Sequence, residues 1–406
     1  MAKHTRYKAR RYANNKNSNS RKKSKPIAKI IITILSVLII AIIALFLYLK
    51  FTNNEDLFSF LLPSPSPTAT VAPTPTPEPS PEPTPAPTPT PEPVLPLDDP
   101  SRNLLTGLPT MSEEGIGKRP IAIMVNNASP SLPQYGLIDA DVVFEVPVEG
   151  NVTRMMALYG DYTKVPDVCS VRSCRYYYPV LSESFDAIYV HWGKEANYAS
   201  SALKRLDTDN LDGTYNTLKL FGRDQNRRSS GFALEHTSVF YGSKLVSALE
   251  NSDFRTDISA EDDHAFFKFS HDELSVGTDM TQFQIHFGNY YSDFTYNADD
   301  KLYYKKHNGK NHIDAKTKAQ LSYKNILVLE TPVRQMGSNI IKEITVTGEN
   351  KPGYYVSNGK MQKITWTKKT ETDNISYFDE NGEELELNFG KTYIAIVNPK
   401  SVEAFQ

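Results

Sequence analysis

Residues 30–49 read IIITILSVLIIAIIALFLYL, with no charge and only Thr33, Ser36 and Tyr48 as polar breaks. At about 1.5 Å of rise per residue, a helix of this length matches a hydrocarbon core of about 30 Å and satisfies its own backbone there. The 29 residues before it hold eleven Lys or Arg and no Asp or Glu. Basic flanks stay on the cytoplasmic side, so the expected topology is single-pass. It has a cytoplasmic tail over 1–29, a signal-anchor helix over 30–50, and all that follows outside the membrane. The competing reading is a cleaved signal peptide. Such a peptide has a core of roughly 7–15 residues and a small-residue cleavage site, and this segment fits neither.

Residues 63–97 alternate Pro with Ser, Thr, Glu or Ala, as in PSPSPTATVAPTPTPEPSPEP. A segment so poor in apolar residues cannot bury a core and is expected to be an extended, disordered stalk spanning 51–98. At about 3.1 Å per residue it reaches on the order of 100 Å, enough to lift a domain through a cell wall.

The formal net charge of −2 hides an asymmetry: beyond residue 29 the chain holds 34 Lys and Arg against 47 Asp and Glu. The external part therefore lacks the basic surplus that phosphate backbones require, and no nucleic-acid partner is expected.

The remaining 300 or so residues suffice for two ordinary domains. In the first, expected over 99–255, RPIAIMVNN (119–127), ADVVFEVPVEG (140–150), TRMMALYG (153–160) and FDAIYVHWG (185–193) read as strands. Residues 195–209 and 237–250 have helical spacing. The expectation is an α/β or α+β domain with a mixed sheet. Over 293–406, short alternating runs are punctuated by Asn308-Gly309, Asn358-Gly359 and Asn381-Gly382. These are hairpin signals, so a mostly antiparallel β domain is expected there, with 256–292 as the connecting region.

NLLTGLP, RPIAIMVNNASPSLPQYGL, ADVVFEVPVEGNVTRMMALY, VRSCRYYYPVLSESFDAIYVHWG and EHTSVFYGSKL, followed by KNILVLETPV and GYYVSNGKMQKITWTKK, occur in this order from 103 to 369. The series resembles the YerB-like lipoprotein family, a family of domains of unknown function with an N-terminal and a C-terminal half. The resemblance implies an envelope protein of Gram-positive-type bacteria and no particular activity. Three features depart from it. An apolar anchor stands in place of a lipidated cysteine. Cys169 and Cys174 stand where the family has small residues. Glu235-His236-Thr237 replaces a common Pro-His-Asn.

The two cysteines are the chain's only ones. Outside the membrane they are expected to form either a disulfide or two buried small residues. The chemical candidates are arginines. Arg172 and Arg175 in VRSCR, with Arg154 in GNVTR, carry forked donors suited to phosphate or carboxylate. They are expected either to make an anion-binding corner or to pair with Asp141, Glu145 and Glu149. His191 at a strand end, His236 at an expected helix start, and Arg223 with Arg227 and Arg228 are further candidates for the rim. Tyr176, Tyr177 and Tyr178 offer either stacking faces or core.

The sequence shows no nucleotide-binding glycine loop, zinc-protease helix or serine elbow. No cofactor is identified. The expected function is binding of an anionic cell-envelope polymer, a lipid-linked intermediate or an envelope protein. The alternative is an enzyme acting on phosphorylated glycan or lipid-linked wall intermediates through the Arg, Asp and Glu cluster. Only that alternative calls for a divalent metal.

Overall fold

The computed structural model describes residues 96–259, 266–337 and 340–404. The expected tail, anchor helix and all but the end of the stalk lie outside these residues. Among the described residues, no helix is long and apolar enough to cross a membrane.

Eight strands come from the first half: β1 (Ile121–Asn126), β2 (Val142–Pro147), β3 (Thr153–Tyr159), β4 (Val168–Cys169), β5 (Ile188–His191), β6 (Asn210–Asp212), β7 (Phe221–Arg223) and β8 (Ser238–Phe240). Seven longer ones follow: β9 (Gln282–His286), β10 (Tyr291–Asn297), β11 (Leu302–His307), β12 (Asn325–Glu330), β13 (Gly348–Ser357), β14 (Lys360–Lys368) and β15 (Thr392–Val397). The main sheet runs β14-β13-β12-β15-β2-β3-β1-β5-β6. Its first-half part is mixed: β3 is antiparallel to β1 and β2, while β1, β5 and β6 are parallel. A second sheet contains β11-β10-β9, all antiparallel.

The composition of each half is as expected, but the boundary between them is not a separation. Strand β2 pairs with β15 in parallel register, Val142 beside Thr392 and Glu145 beside Ala395. All described residues belong to one compact unit. The connecting region joins in as well, because Lys268–Ser270 pairs with Glu386–Asn388 and Thr278–Asp279 with β14. The second half thus contributes both to the main sheet, through β12 to β15, and to the second sheet, through β9 to β11.

Ala122, Met124, Phe144, Met156 and Leu158 face one side of the main sheet, and Ile121, Ile123, Val143, Met155 and Ala157 the other. All ten are buried, so these strands read as unbroken apolar runs. Two helices, α1 (Tyr177–Glu183) and α2 (Tyr198–Arg205), cover the first face through Tyr177, Tyr178, Leu181, Ala199 and Leu203. The second sheet covers the other face through Phe283, Ile285, Phe294 and Tyr303.

Three local features have plain causes. Helix α1 carries Pro179 in its first turn, where no backbone N–H is needed, so the proline does not break it. The expected helix over 237–250 divides. Its apolar start is strand β8, paired with β4 and β7, and only α4 (Leu245–Glu250) is helical after the short α3 (Gln225–Ser229). At Asn308-Gly309 and Asn358-Gly359 both residues have positive φ, as tight hairpins require. The third turn is longer, built around Asp379, whose Oδ1 accepts from the backbone N–H groups of Asn381 and Glu383.

Candidate functional site

Strands β1 and β5 are parallel neighbours that diverge at their carboxyl ends, and VRSCR fills the gap. The Arg172 N–H donates to the Met124 carbonyl of β1 at 3.0 Å, and the Trp192 N–H donates to the Arg172 carbonyl at 3.0 Å. The Cys174 N–H reaches the Gly193 carbonyl at 3.0 Å. The segment therefore sits across the carboxyl ends of two parallel strands, where open sheets with parallel strands place ligands.

Three guanidinium groups gather there. Arg154 lies on β3 opposite Asn126 and is 7% exposed. Its Nη1 donates to the Ser173 carbonyl at 2.5 Å. Burial, with Arg175 and Arg172 close by, brings its pKa down to about 10. Arg175 pairs with Glu149 at 2.5 Å; burial works against its charge, but that hydrogen bond prevails and raises the pKa. Arg172 is half-buried, and its Nε is buried without a hydrogen-bond partner. Burial lowers its pKa, and Glu235 opposes that effect. The corner is held from beneath by tyrosines: the Tyr177 hydroxyl donates to the Pro147 carbonyl at 2.6 Å and the Tyr178 hydroxyl to the Arg154 carbonyl at 2.9 Å. Tyr177 and Tyr178 are thus core, and Tyr176 exchanges hydrogen bonds with the Ile344 backbone.

Of the three carboxylates, Glu149 pairs with Arg175; the other two do not join the arginines. Asp141 precedes β2, at the opposite end from Arg154. Its Oδ2 accepts from Asn103 Nδ2 at 2.9 Å and from the Gly160 N–H at 2.7 Å. Burial raises its pKa. Glu145 points from the opposite face of the sheet, because β2 alternates and Arg154 packs on the side of Met156. There Glu145 meets Lys305, Ser292 and Tyr393.

His191 is buried and satisfied, with Nδ1 2.8 Å from the Gly193 carbonyl and Nε2 3.1 Å from Asn210 Oδ1. His236 opens no helix; it lies in a 3-10 turn before β8, with Nδ1 2.9 Å from Asn126 Nδ2. Arg223 stands at the rim, its guanidinium 4.1 Å from the Trp192 ring centroid. Arg227 is structural: it donates to the carbonyls of His236, Pro133 and Ser131. Arg228 is exposed.

Both thiols are free and buried, Cys174 in the main core and Cys169 in a small cluster with Tyr135 and Val239. The disulfide alternative is thereby corrected to two buried small residues. Burial pushes each thiol up to about 12. Among the described residues, no group of three or more His, Cys, Asp or Glu is placed to hold a metal ion.

The sequence reading missed a second polar cluster, between the two sheets. Glu145 Oε1 accepts from Asn127 Nδ2 at 2.8 Å and Thr153 Oγ1 at 2.7 Å; Oε2 accepts from the Tyr393 hydroxyl at 2.6 Å. Lys305, His307 and His312 complete it, all at most 3% exposed. The signal was the period of two in LYYKKH, which puts Tyr303, Lys305 and His307 on one inward face. The roomier clefts, about 580 and 610 Å³, lie away from both clusters. One is lined by His271, Lys324, Phe389 and Lys391, the other by Glu183, Thr372 and Asp373.

The fold and site define an α+β protein of three layers, helices, main sheet and second sheet, with a cationic corner at the carboxyl ends of parallel strands. Residues 105–255 match "Protein of unknown function (DUF3048) N-terminal domain" and residues 283–394 match "Protein of unknown function (DUF3048) C-terminal domain". The chain belongs to this YerB-like family. It is 27% identical over 301 residues to "Putative lipoprotein YerB" of Bacillus subtilis (strain 168), covering 72% of this chain and 85% of that protein. It is similar in fold to the crystal structure of YerB protein from Bacillus subtilis, with a TM-score of 0.63 and 23% identity over 74% of this chain and 98% of that chain.

Proposed function

We propose that the folded unit is an extracytoplasmic envelope module, tethered through 30–50, that binds an anionic group of a wall polymer, lipid-linked intermediate or envelope protein at the arginine corner. The observation that carries this reading is the imbalance of charge. Arg154, Arg172 and Arg175 lie within electrostatic reach of one another, and among the described residues the one carboxylate in ion-pair distance of any of them is Glu149. Like charges held together in a half-buried place favour an incoming anion. An unpartnered Arg172 Nε adds an unused donor. The basic tail before the apolar run and the lipoprotein designation of the Bacillus relative support the outside location. The enzyme alternative needs Asp141 or Glu145 beside the arginines, and each lies elsewhere.

Two experiments test the reading. Protease added to wall-stripped cells should remove the folded unit and spare the basic tail; the reverse would overturn the topology. Titration with inorganic phosphate should show binding that Arg172→Ala weakens and Arg172→Lys restores only in part, because a point charge cannot replace a forked donor. Equal binding by all three proteins would move the anion away from this corner.

A further inference from the structure

The arginine corner is continued on one side by a fourth guanidinium. VRSCR lies against Trp192 through the Arg172 carbonyl, and Arg223 lies over the Trp192 ring at 4.1 Å. The Arg223 Nη1 donates to the Leu234 carbonyl at 2.7 Å, which holds the group over the indole, and among the described residues it forms no ion pair with a carboxylate. Arg172 and Arg223 are within electrostatic reach of each other, as are Arg172, Arg175 and Arg154. The series runs from buried Arg154, through half-buried Arg175 and Arg172, to Arg223 on the rim. Its facing acids are Glu149, already paired with Arg175, and Glu235, which is exposed.

We propose that these four arginines form one track and that its ligand is a linear polyanion with phosphate groups in its backbone. This rests on the anion-binding reading above and extends it from one anion to a polymer. A single phosphate would satisfy the Arg172 end and leave Arg223 facing solvent. Successive charges on one chain engage both ends, and the second contact is then intramolecular. The chemistry is that of a polymer recognised by its charges rather than by bases. Trp192 has no open face for stacking: Arg223 covers it, Phe221 meets it edge-on at 5.6 Å, and Gly213 lies so close that an added Cβ would fall 2.7 Å from the indole. The indole orients a guanidinium and leaves the ligand no ring to stack on.

The test compares orthophosphate, a linear hexaphosphate and a single-stranded oligodeoxynucleotide of equal charge, each titrated into the full chain. The hexaphosphate should bind at least about tenfold more tightly than orthophosphate. Arg223→Ala should remove that advantage, so that hexaphosphate binds no more tightly than orthophosphate, while Arg172→Ala weakens both. Arg223→Lys, which keeps the charge but loses the planar stack, should retain part of the advantage and guards against a folding defect. Equal affinity for orthophosphate and hexaphosphate, unaffected by Arg223→Ala, would overturn the track and leave the corner standing. Failure of both phosphates to bind would overturn the corner as well. An oligonucleotide that binds as tightly as the hexaphosphate would overturn the assignment of ligand class.

Discussion

Glu145 Oε2 lies 3.3 Å from Lys305 Nζ, with both side chains buried between the two sheets. One comes from the middle of the main sheet in the first half, the other from the second sheet in the second half. Burial alone would raise the Glu145 pKa, but Lys305, with the Tyr393 and Thr153 hydroxyls, more than offsets it and holds the carboxyl below its ordinary value. The pair ties the layers together at a place where apolar packing would serve as well, so its removal in part matters more than its presence.

Glu145→Gln and Lys305→Met should each cost about 3–5 kcal/mol, because each leaves the other partner buried without its counter-charge. The double variant should cost clearly less than the sum. Denaturant unfolding of the three variants checks this, and strict additivity would show that the two groups do not act as a pair.

Acid should weaken the fold through the neighbouring histidines. Burial, with Lys305 nearby, brings His307 down to about 4 and holds His312 well below its ordinary value. An unfolded histidine has a pKa of about 6.5, so between about 6.5 and 4 the unfolded chain takes up protons that the folded chain refuses. Stability should therefore fall as pH drops through that window, by roughly 1.4 kcal/mol per pH unit for each histidine. His307→Phe should make that slope measurably shallower. Unfolding midpoints at pH 7.5 and 5.0 decide it; a wild-type midpoint that does not fall on acidification would contradict the account. The contribution from Glu145, whose folded pKa is depressed, is lost only at lower pH.

The cysteines should be inert. With both thiols buried and pushed up to about 12, neither is a thiolate at neutral pH. Iodoacetamide should label the native chain slowly and the denatured chain fully at both positions. Rapid native labelling at Cys169 or Cys174 would restore them as reactive groups.

Arg172 and Arg175 should separate in stability. Arg175→Ala strands Glu149 half-buried and should cost roughly 1–3 kcal/mol. Arg172→Ala removes a group with no ion-pair partner among the described residues and should leave the melting temperature unchanged or slightly higher. A large loss for Arg172→Ala would make it a structural clamp.

The sequence was informative where one residue type has one use. Continuous apolar runs identified β1, β2, β3 and β5, and the Asn-Gly pairs at 308 and 358 located two hairpins. The sequence singled out Arg154, Arg172 and Arg175 because VRSCR and GNVTR carry forked donors at turns beside strands; that GNVTR opens β3 while VRSCR meets the neighbouring β1 only through the backbone took the structure to see. The placement of Asp141 and Glu145 away from that corner was not legible, because it required the face on which each strand residue lies relative to a partner far away in sequence. Glu145 is satisfied by Tyr393, which is 248 residues away. The parallel pairing of β2 with β15 was not legible for the same reason: a contact between distant segments leaves no local pattern.

The central claim is that the corner holds an anion, and the Nε–Hε NMR signal of Arg172 reports on it most directly. That donor is buried and unpartnered in the structure. Titrating the full chain with inorganic phosphate, with residue assignments from Arg→Lys variants, should shift the Arg172 signal saturably and that of Arg154 with it, while exposed Arg228 stays nearly still. Arg172 and Arg154 signals that do not move, or that move no more than Arg228, would contradict the account.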